Sequence, residues 1–266
     1  IFFAIFFGIC LALMPEEKTA FLRKGLDIVN EVFLMMVNFA MKAAPFFVFC
    51  LMAGVIGKMA QTPAQLADLL VSLGWYALVV FGGLLFMLIL YPFIVSLFVK
   101  EMKFTSFIKR ILPAQMTAFS TSSSAATLPV TLECVEERIG VDEEVSSFVL
   151  PVGATVNMDG TSLYQAVAVI FLAQMHMIDL SVSEQLMIVL TATLASIGSA
   201  AVPSAGLVML MIVLQSVELN PLWIAIILPV DRILDMCRTV VNVTGDATVA
   251  TIVGKSEKSL HVKDFE

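Results

Sequence analysis

Long apolar stretches separated by short polar turns dominate this chain. Several exceed the ~20 residues that a helix needs to span a bilayer. Polar turns at residues 15–24, 61–63 and 220–221 separate them. The apolar stretches fall at about 28–57, 69–99, 146–178, 186–217 and 222–253, with a shorter one at 1–14. This pattern predicts an all-α polytopic membrane protein, and the excess length predicts tilted, broken or re-entrant helices.

Two segments are rich in small hydroxyl residues and do not look like simple spans. Residues 115–131 read QMTAFSTSSSAATLPVT, and residues 196–206 read SIGSAAVPSAG. Small side chains let the backbone approach a ligand, and freed backbone groups can then bind it. We expect each segment to form the tip of a re-entrant helical hairpin, the first at about 104–132 and the second at about 183–217.

A related pentapeptide follows each predicted hairpin: residues 157–161 read NMDGT and residues 242–246 read NVTGD. Asn and Gly are ordinary kink formers, so plain helix kinks are the alternative. Together with the two tips, the pattern favours inverted repeats, each a hairpin followed by a broken transmembrane helix, that meet near the bilayer midplane. Secondary transporters bind their substrates and ions in such a frame.

A polar stripe runs along the last apolar stretch. Steps of four, three, four and four residues keep its side chains on one face of a helix; they are Asp231, Asp235, Arg238, Asn242 and Asp246. Ionisable groups at membrane depth are costly and usually face a protein interior or an ion path. A structural salt bridge between Asp235 and Arg238 would explain a lone pair. The full stripe of five polar groups instead indicates a binding site.

Composition and charge agree with a membrane location. The chain is 59% hydrophobic and 14% charged, with a mean hydropathy of +0.98, far from the values of a soluble domain. Eleven of the fifteen Lys and Arg residues fall in 15–24, 100–110, 133–144 and after 254, whereas the opposite loops hold Lys58. By the positive-inside rule the first set, including the C-terminus, is cytoplasmic. The four cysteines have no spacing typical of a disulfide framework or a zinc site.

The candidate residues suit an amino acid and a hard cation. Arg238 offers a planar fork for a carboxylate, and Asp235 offers an anion for an ammonium group. Further donors and acceptors come from Asn242, Ser123, Ser124 and Thr161. Sodium needs oxygen ligands, which Asp159 and Asp246 provide beside the predicted helix breaks.

Two other classes of protein fit the sequence less well. An intramembrane protease could use Asp159 and Asp235 as a dyad or a serine within 120–124 as a nucleophile. Neither histidine lies near these motifs, however, and Arg238 is a ready partner for Asp235. A simple ion channel needs no ammonium ligand beside a carboxylate clamp. The sequence therefore favours a transporter and predicts no catalytic residues.

Four motifs resemble the glutamate transporter family of sodium:dicarboxylate symporters, which includes archaeal aspartate transporters and mammalian excitatory amino acid transporters. They read STSSSAATLPVT, GATVNMDGT, ASIGSAAVPSAG and DMCRTVVNVTGD. The resemblance covers roughly residues 1–257 and indicates a bacterial or archaeal-type member. Because the chain starts at Ile1 within an apolar run, we expect it to be truncated, with its N-terminal helices absent.

The resemblance implies two domains and a tail. Residues 1–62 correspond to the end of the fourth helix and the fifth helix of a scaffold that forms a homotrimer, and 258–266 to a cytoplasmic tail. Residues 63–257 correspond to a transport domain. It comprises the sixth helix, the first hairpin, a seventh helix at about 143–178, the second hairpin and an eighth helix at about 221–254. The implied location is the plasma (inner) membrane, and the implied partners are lipid and a small-molecule substrate, with no nucleic acid.

Matching positions assign residues to the substrate. Arg238 matches the arginine that holds the side-chain carboxylate, and Asp235 matches the aspartate that holds the amino group. Asn242 and three serines match the groups that receive the α-carboxylate, and the tip of the second hairpin resembles an extracellular gate. The matched substrate residues are Ser122, Ser123, Ser124, Thr161, Val202, Pro203, Gly206, Asp235, Arg238, Thr239 and Asn242.

The resemblance also implies Na⁺ as the coupling ion, bound at three sites. The first uses the carbonyls of Gly153, Asn157 and Asn242 with the carboxylate of Asp246. The second uses carbonyls near Thr155 and Met158 and, from the second hairpin, Ser196, Ile197 and Ser199. The third uses Asn157 and Asp159 with hydroxyls from the third helix, so we expect it to be incomplete in this chain.

Two positions indicate the substrate class. Family members for neutral amino acids replace the arginine that matches Arg238, and C4-dicarboxylate members lack the aspartate that matches Asp235. This chain keeps both, so we expect sodium-coupled symport of aspartate or glutamate by an elevator-type alternating-access mechanism. The alternative is a proton- or sodium-coupled symporter of succinate, fumarate or malate.

The chain departs from the family pattern at a few positions. Ala125 stands where the family often has a third serine. The family's additional arginine would fall at Ser122 or Met236 and is missing, and Arg232, one turn away, is the candidate substitute. Gln165 occupies a position where proton- and potassium-coupled members carry glutamate, so we expect no proton to be carried there.

Replacing Arg238 by cysteine is expected to abolish the uptake of acidic amino acids, because the stripe then lacks a group that can form a bidentate pair with a side-chain carboxylate. Uptake of radiolabelled aspartate by the full-length protein measures this. Unchanged aspartate transport by Arg238→Cys would contradict the role assigned to Arg238.

Overall fold

The structure is a computed structural model that describes residues 2–59 and 62–262. These residues fold into helices joined by short connections. The predicted all-α fold is therefore confirmed. The helices are α1 (Phe2–Ala12), α2 (Glu16–Met59), α3 (Pro63–Phe98), α4 (Phe104–Thr121), α5 (Ser124–Glu133), α6 (Glu143–Val156), α7 (Asp159–Met175), α8 (Val182–Ile197), α9 (Ala205–Ser216) and α10 (Ile224–Ser256). A π-helical turn, Cys134–Ile139, follows α5, and a 3-10 turn, Pro221–Trp223, precedes α10.

Three predicted features lie wholly or partly outside the described residues. Residues 60 and 61 lie outside the described residues, so the predicted turn 61–63 is described only in part. Residues 263–266 of the predicted tail 258–266 lie outside them as well. The side chain of Lys58, which the sequence assigns to the opposite loops, lies outside it too.

The chain divides into two compact units, Ile1–Cys50 and Leu51–Glu266. Helix α1 and most of α2 make up the first unit. Within it the Thr19 hydroxyl donates to the Glu16 carbonyl at 3.3 Å, and α2 continues through Pro45 without ending. The assignment of 1–62 and 63–257 to separate domains stays a prediction.

Helix α3 is the one described helix that is long and apolar enough to cross a bilayer by length and composition. A capping box begins it: Thr62 Oγ1 accepts from Gln65 N at 3.3 Å, and Gln65 Oε1 accepts from Thr62 N at 3.2 Å. Buried side chains recur along one face of α3 at helical spacing; they are Leu69, Leu73, Tyr76, Val80, Leu84, Tyr91 and Val95. The opposite face keeps apolar side chains exposed, as contact with lipid requires.

Helices α4 and α5 pack against each other at the position of the first predicted hairpin. The chain reverses at Ser122, whose φ of 53° lies in the left-handed region. Ser123 then caps α5, because its Oγ accepts from Ala126 N at 3.1 Å. The tip of the pair therefore presents the N-terminus of α5. Its depth in the membrane stays a prediction.

The predicted seventh helix is broken, as the first pentapeptide indicates. Helix α6 ends at Val156 and α7 begins at Asp159. Between them, Asn157 leaves the helical conformation with φ −88° and ψ 86°, while its N–H still donates to the Gly153 carbonyl at 2.8 Å. The break exposes backbone groups and the start of α7 next to α10.

Helices α8 and α9 form the second packed pair, joined by residues 198–204. Ser204 ends this connection with a φ of 61°, a left-handed conformation that is uncommon for serine. Helix α8 begins with a capping box: Glu184 N donates to Ser181 Oγ at 3.3 Å, and Ser181 N donates to Glu184 Oε2 at 2.7 Å.

The expectation that the second pentapeptide breaks its helix is wrong, because α10 is continuous from Ile224 to Ser256. Its glycine serves close packing. A Cβ at Gly245 would lie 2.6 Å from Asn157 Nδ2 and 3.2 Å from the Tyr91 hydroxyl. The threonine in the motif also fits a helix, since Thr244 Oγ1 donates to the Val240 carbonyl at 2.7 Å.

Helix α10 is the centre of the second unit and contacts α3, α4, α6 and α7. One hydrophobic cluster lies among α3, α7, α8, α9 and α10, with Tyr164, Leu172, Ile188, Leu210 and Ile227 among its members. Another lies among α3, α4, α6 and α10, with Val95, Phe107, Ile111, Leu150 and Ala250 among its members. Apolar packing on both sides therefore encloses the polar stripe of α10.

The segment after α10 folds back onto the loop before α6. Val141 and Leu260 form an isolated antiparallel bridge. Asp142 N donates to the Ser259 carbonyl at 2.9 Å, and His261 N donates to the Gly140 carbonyl at 2.7 Å.

An exposed ion pair lies near this contact. Lys255 Nζ donates to Glu101 Oε1 at 2.7 Å. This hydrogen bond lowers the pKa of the Glu101 carboxyl.

Replacing Ser181 by alanine is expected to loosen the first turn of α8, because the Glu184 amide loses its side-chain acceptor at a cost of about 1 kcal/mol. Hydrogen–deuterium exchange of the Glu184 amide should become about fivefold faster.

Ser183→Ala is the matched control, because the Ser183 hydroxyl lies 3.0 Å from that of Ser181 but accepts no backbone hydrogen bond in the described contacts. Equal acceleration in both variants would contradict the capping role of Ser181.

Candidate functional site

The polar stripe of α10 is buried within the second unit. Its side chains, Asp231, Asp235, Arg238, Asn242 and Asp246, are 1% to 7% exposed. Buried charges are tolerated when they are paired and hydrogen-bonded, so the partners of each group determine what the stripe can bind. These partners come from α3, from α7 and the break before it, and from the two hairpin tips.

Arg238 carries a buried charge that is only partly used by the protein. Its Nη2 donates to Asp235 Oδ1 at 2.6 Å and to Asp231 Oδ1 at 3.2 Å. The Tyr164 ring centroid lies 3.7 Å from the guanidinium carbon, a cation–π contact. Nε and Nη1 have no hydrogen-bond partner among the described residues. The structural salt bridge is therefore present, yet two of the three nitrogens are available to a carboxylate.

Asp235 is shared between α10 and the second hairpin tip. Its Oδ1 pairs with Arg238, and its Oδ2 accepts from Ser204 N at 3.0 Å. Arg232 Nη1 lies 3.9 Å from the same Oδ2, and the Arg232 side chain is 45% exposed. Arg232, the candidate substitute for the arginine that is missing at Ser122 or Met236, therefore lies near the Asp235 carboxylate. An exposed ion pair at this distance is weak.

The two hairpin tips meet at Ala201. The Ala201 carbonyl accepts from Ser123 Oγ at 2.7 Å and from Ala125 N at 3.3 Å. From α7, Gln165 Nε2 donates to the Gly206 carbonyl at 3.0 Å. The second tip is therefore held by the first tip, by α7 and by Asp235 of α10.

A cavity of about 20 Å³ lies between the tips, α7 and α10. The predicted substrate residues that line it are Ser122, Ser124, Thr161, Val202, Gly206, Asp235, Thr239 and Asn242. Two predicted sodium residues, Met158 and Ser199, line it as well. Its volume is about that of one water molecule, so this conformation is closed around the site.

The other predicted substrate residues border this cavity. Ser123 hydrogen-bonds between the tips, and Pro203 lies half-buried in the second tip. Arg238 lies behind Gly206, since a Cβ on Gly206 would be 3.3 Å from Arg238 Nη1 and 3.0 Å from Thr161 Cγ2. The bare Gly206 backbone therefore lets the second tip approach the guanidinium.

The start of α5 forms one end of the cavity. The Ser122 Oγ is buried and has no hydrogen-bond partner among the described residues, and Ser124 opens the first turn of α5. Helix N-termini favour anions. This end of the cavity therefore suits a second carboxylate.

Asn242 ties α10 to the break between α6 and α7. Its Oδ1 accepts from Gly160 N at 2.8 Å. Its Nδ2 lies 3.3 Å from Thr161 Oγ1 and 3.3 Å from Met158 Sδ. A Cβ on Gly160 would lie 2.8 Å from the Arg238 carbonyl oxygen, so only a glycine lets the two helices approach this closely.

The residues of the first predicted sodium site lie together. Asn157 Nδ2 donates to Asp246 Oδ1 at 2.9 Å and lies 3.4 Å from the Asn242 carbonyl oxygen. A Cβ on Gly153 would be 2.7 Å from Asp246 Oδ1, so the carboxylate occupies the space that this glycine leaves. One amide side chain, a carboxylate, a backbone carbonyl and the bare backbone of a glycine thus converge.

The residues of the second predicted site are spread over two cavities. Ser196 and Ile197 line a cavity of about 530 Å³ together with Asn157, Met158 and Asp159, whereas Ser199 lines the smaller one. Thr155 lines neither; it is exposed, and its hydroxyl donates to the Val152 carbonyl at 3.0 Å.

Three contacts of this site were not predicted from the sequence. The Tyr91 hydroxyl of α3 donates to Asp159 Oδ2, the Tyr164 ring covers Arg238, and the Ser204 amide bonds Asp235. Each tyrosine stands in an apolar run, where the residue type alone is typical of a core position. In the sequence, the one feature that could have indicated a polar contact for these tyrosines was a hydroxyl group within a predicted membrane span.

Buried charges on a central helix, a broken helix beside it and two helix pairs whose tips meet over it define the class of secondary membrane transporters. A model of the sodium:dicarboxylate symporter family matches residues 1–256. The chain belongs to this family, as its motifs predict. The name of the family describes symporters of sodium and dicarboxylates, a class of membrane transporter and not of enzyme.

Relatives of known name are excitatory amino acid transporters. The chain is 43% identical to the excitatory amino acid transporter of Caenorhabditis elegans over 254 residues, which are 95% of this chain and 49% of that protein. It is 42% identical to excitatory amino acid transporter 1 of Homo sapiens over 268 residues, 99% of this chain and 48% of that protein. The chain thus spans about half the length of the curated relatives it matches. That the chain is a bacterial or archaeal-type member of the family stays a prediction.

Replacing Gly160 by alanine is expected to push α7 away from α10, because the new Cβ would lie 2.8 Å from the Arg238 carbonyl oxygen. Overpacking of this kind costs about 1–3 kcal/mol. A lower midpoint of thermal unfolding of the purified protein measures the effect.

Gly74→Ala is the control, since Gly74 also lies in a helix and a Cβ there has no atom within 4 Å. We expect Gly74→Ala to leave the midpoint unchanged or raise it, because alanine favours helix. Equal midpoints for the two variants would contradict the close approach at Gly160.

Proposed function

We propose that the whole protein is a sodium-coupled symporter of the acidic amino acids aspartate and glutamate. The observation that carries this proposal is Arg238, a buried guanidinium with two unpartnered nitrogens beside the carboxylate of Asp235. Free donors on a buried cation select a carboxylate, and an adjacent anion selects a substrate that also carries an ammonium group. The names of the relatives, excitatory amino acid transporters, support the same substrate class.

In the proposed complex, Nε and Nη1 of Arg238 bind the side-chain carboxylate of the substrate. The ammonium group binds Asp235, whose Oδ1 then shares its charge between Arg238 and the substrate. The α-carboxylate binds Asn242 and the start of α5, where helix amides favour an anion. The serines involved are Ser122, Ser123 and Ser124, and the remaining contacts come from Thr161, Val202, Pro203, Gly206 and Thr239.

Sodium is the co-transported ion in this proposal. The first site would use the carboxylate of Asp246 and the carbonyls of Gly153, Asn157 and Asn242, oxygen ligands of the kind that hard cations prefer. The Asn157–Asp246 contact and the missing Cβ of Gly153 support it, because they gather these groups around one carboxylate. The second site would use Thr155, Met158, Ser196, Ile197 and Ser199, and the third Asn157 and Asp159.

Coupling between the ion and the substrate follows from the second hairpin tip. The sodium residues 196–199 and the substrate residues 202–206 lie in one short segment, 196–206, which runs from the end of α8 to the start of α9. The cavity beneath this segment holds about one water molecule and is too small for an amino acid, so the segment has to move for the substrate to enter. Sodium that holds the segment closed favours bound substrate, and bound substrate favours sodium by the same factor.

The transport domain, the scaffold and the C-terminal tail also have roles in the proposed function. Residues 63–257 form the transport domain, which moves against a trimeric scaffold that includes residues 1–62 in an elevator-type cycle. The protein lies in the plasma membrane with residues 258–266 on the cytoplasmic side. Gln165 has no titratable proton and bonds the second tip, so no proton is carried there.

Calorimetry or tryptophan fluorescence on the full-length protein, with aspartate, glutamate, serine and succinate as ligands, tests this function. Aspartate and glutamate are expected to bind at least about tenfold more tightly with sodium than without. Serine lacks the second carboxylate and leaves Nε and Nη1 of Arg238 without an acceptor, and succinate lacks the ammonium group and leaves Asp235 without that partner. Each should therefore bind about 100-fold more weakly than aspartate.

Three results of these titrations would contradict the proposed function. Succinate that binds as tightly as aspartate would favour the C4-dicarboxylate symporter instead. Serine that binds as tightly would remove Arg238 from substrate selection. Binding that is independent of sodium would contradict the coupling.

A further inference from the structure

Tyr91 brings a hydroxyl from α3 into the cluster of proposed cation ligands. It lies in the last third of α3, directly before Pro92, and the residue is 9% exposed. The hydroxyl donates a hydrogen bond to Asp159 Oδ2, at the start of α7. This is a contact between residues 68 positions apart, and it links the one described helix that is long and apolar enough to cross a bilayer to an acidic side chain.

Four polar groups and one bare backbone position converge here from three parts of the chain. A Cβ on Gly245 of α10 would lie 3.2 Å from the Tyr91 hydroxyl and 2.6 Å from Asn157 Nδ2. Asn157 in turn donates to Asp246 Oδ1 at 2.9 Å. Tyr91, Asn157, Asp159 and Asp246 therefore form one cluster around Gly245, and an alanine at that position would separate its members.

The oxygens of this cluster fit a sodium ion. Carboxylate, amide and hydroxyl oxygens are hard ligands, and the two carboxylates supply negative charge at a depth where a bare cation is costly. Among these groups Tyr91 acts as a donor, so its role differs from that of the carboxylates. A hydrogen bond donated to one oxygen of an anionic carboxylate fixes the rotation of that carboxylate and stabilises its charge.

We propose that Tyr91 is a positioning residue for sodium, which orients the Asp159 carboxylate for ion binding. This inference rests on the proposed function and adds a residue to it from α3. Groups that orient metal ligands typically change metal affinity about 10- to 100-fold when removed. Loss of the Tyr91 hydroxyl should therefore weaken sodium binding while the substrate clamp on α10 keeps its own contacts.

The test is Tyr91→Phe in the full-length protein, which removes the hydroxyl and keeps the ring. The sodium concentration for half-maximal aspartate binding is expected to rise about tenfold. The same rise is expected in the sodium concentration that half-maximally increases the midpoint of thermal unfolding without substrate. At saturating sodium, the aspartate Kd should return to within about threefold of the parent value, since a residue that acts only on the ion drops out when the ion site is full.

Tyr76→Phe is the matched control. Tyr76 lies on the same helix, is 2% exposed and stacks on Phe171 at 4.7 Å between centroids, so the variant removes the same atom from a buried ring away from Asp159. We expect its sodium dependence to equal that of the parent. An equal shift in both variants would assign the effect to general loosening of α3 and overturn the role of Tyr91.

A double-mutant cycle with Asp159→Asn separates an effect through Asp159 from any other. If Tyr91 acts by orienting this carboxylate, Tyr91→Phe should change the sodium-induced thermal shift by less than about twofold in the Asp159→Asn background. Additive effects would overturn the inference. An unchanged sodium dependence of Tyr91→Phe, in a parent that binds aspartate with sodium, overturns it as well. A parent without sodium-dependent binding refutes the proposed function itself.

Discussion

The burial of one positive charge, on Arg238, is the constraint on which the rest of this structure depends. A guanidinium that is 1% exposed and left without partners would destabilise the fold by on the order of several kcal/mol. Asp231 and Asp235 neutralise it from its own helix, and the Tyr164 ring of α7 covers one of its faces. Because Asp235 also bonds the Ser204 amide, neutralisation on α10 fixes the second hairpin tip at the same time. The packing of α7, α10 and the second hairpin tip around the candidate site therefore follows from one electrostatic requirement.

Glycines make that requirement compatible with tight packing. Gly153, Gly160, Gly206 and Gly245 each face a polar atom that a Cβ would meet at 2.6 to 3.3 Å. In lipid, helices gain little from burying apolar surface against one another, so close approach and hydrogen bonds between helices matter more. The glycines supply the approach, and Asn157 and Asn242 supply the hydrogen bonds. The same contacts place candidate oxygen ligands side by side.

Periodicity was sufficient to predict the stripe on α10, and local composition and motifs predicted the two helix pairs and the break at Asn157, because each depends on residues that are close along the chain. It failed where a residue's role depends on a partner far away. The two pentapeptides look alike, yet the first lies at a helix break and the second lies within a continuous helix. The glycine of the second motif, Gly245, leaves room for Asn157 and Tyr91, which are distant along the chain. The hydroxyls of Tyr91 and Tyr164 did not identify the partners of these residues, since a tyrosine in an apolar run can contact lipid, a hydrophobic core or a charged group. The substrate and sodium roles came from motif resemblance, and the geometry adds which of those groups touch.

The fold-back of the segment after α10 has a mechanical consequence. Hydrogen bonds from Asp142 to Ser259 and from His261 to Gly140 cross between the loop before α6 and the end of α10. Sliding α10 along its axis by a single residue, about 1.5 Å, would put these donors and acceptors out of register. These hydrogen bonds therefore hold the start of α6 and the end of α10 in register. Asn157, directly after α6, also donates to Asp246 Oδ1 of α10, so α10 is tied to both ends of α6.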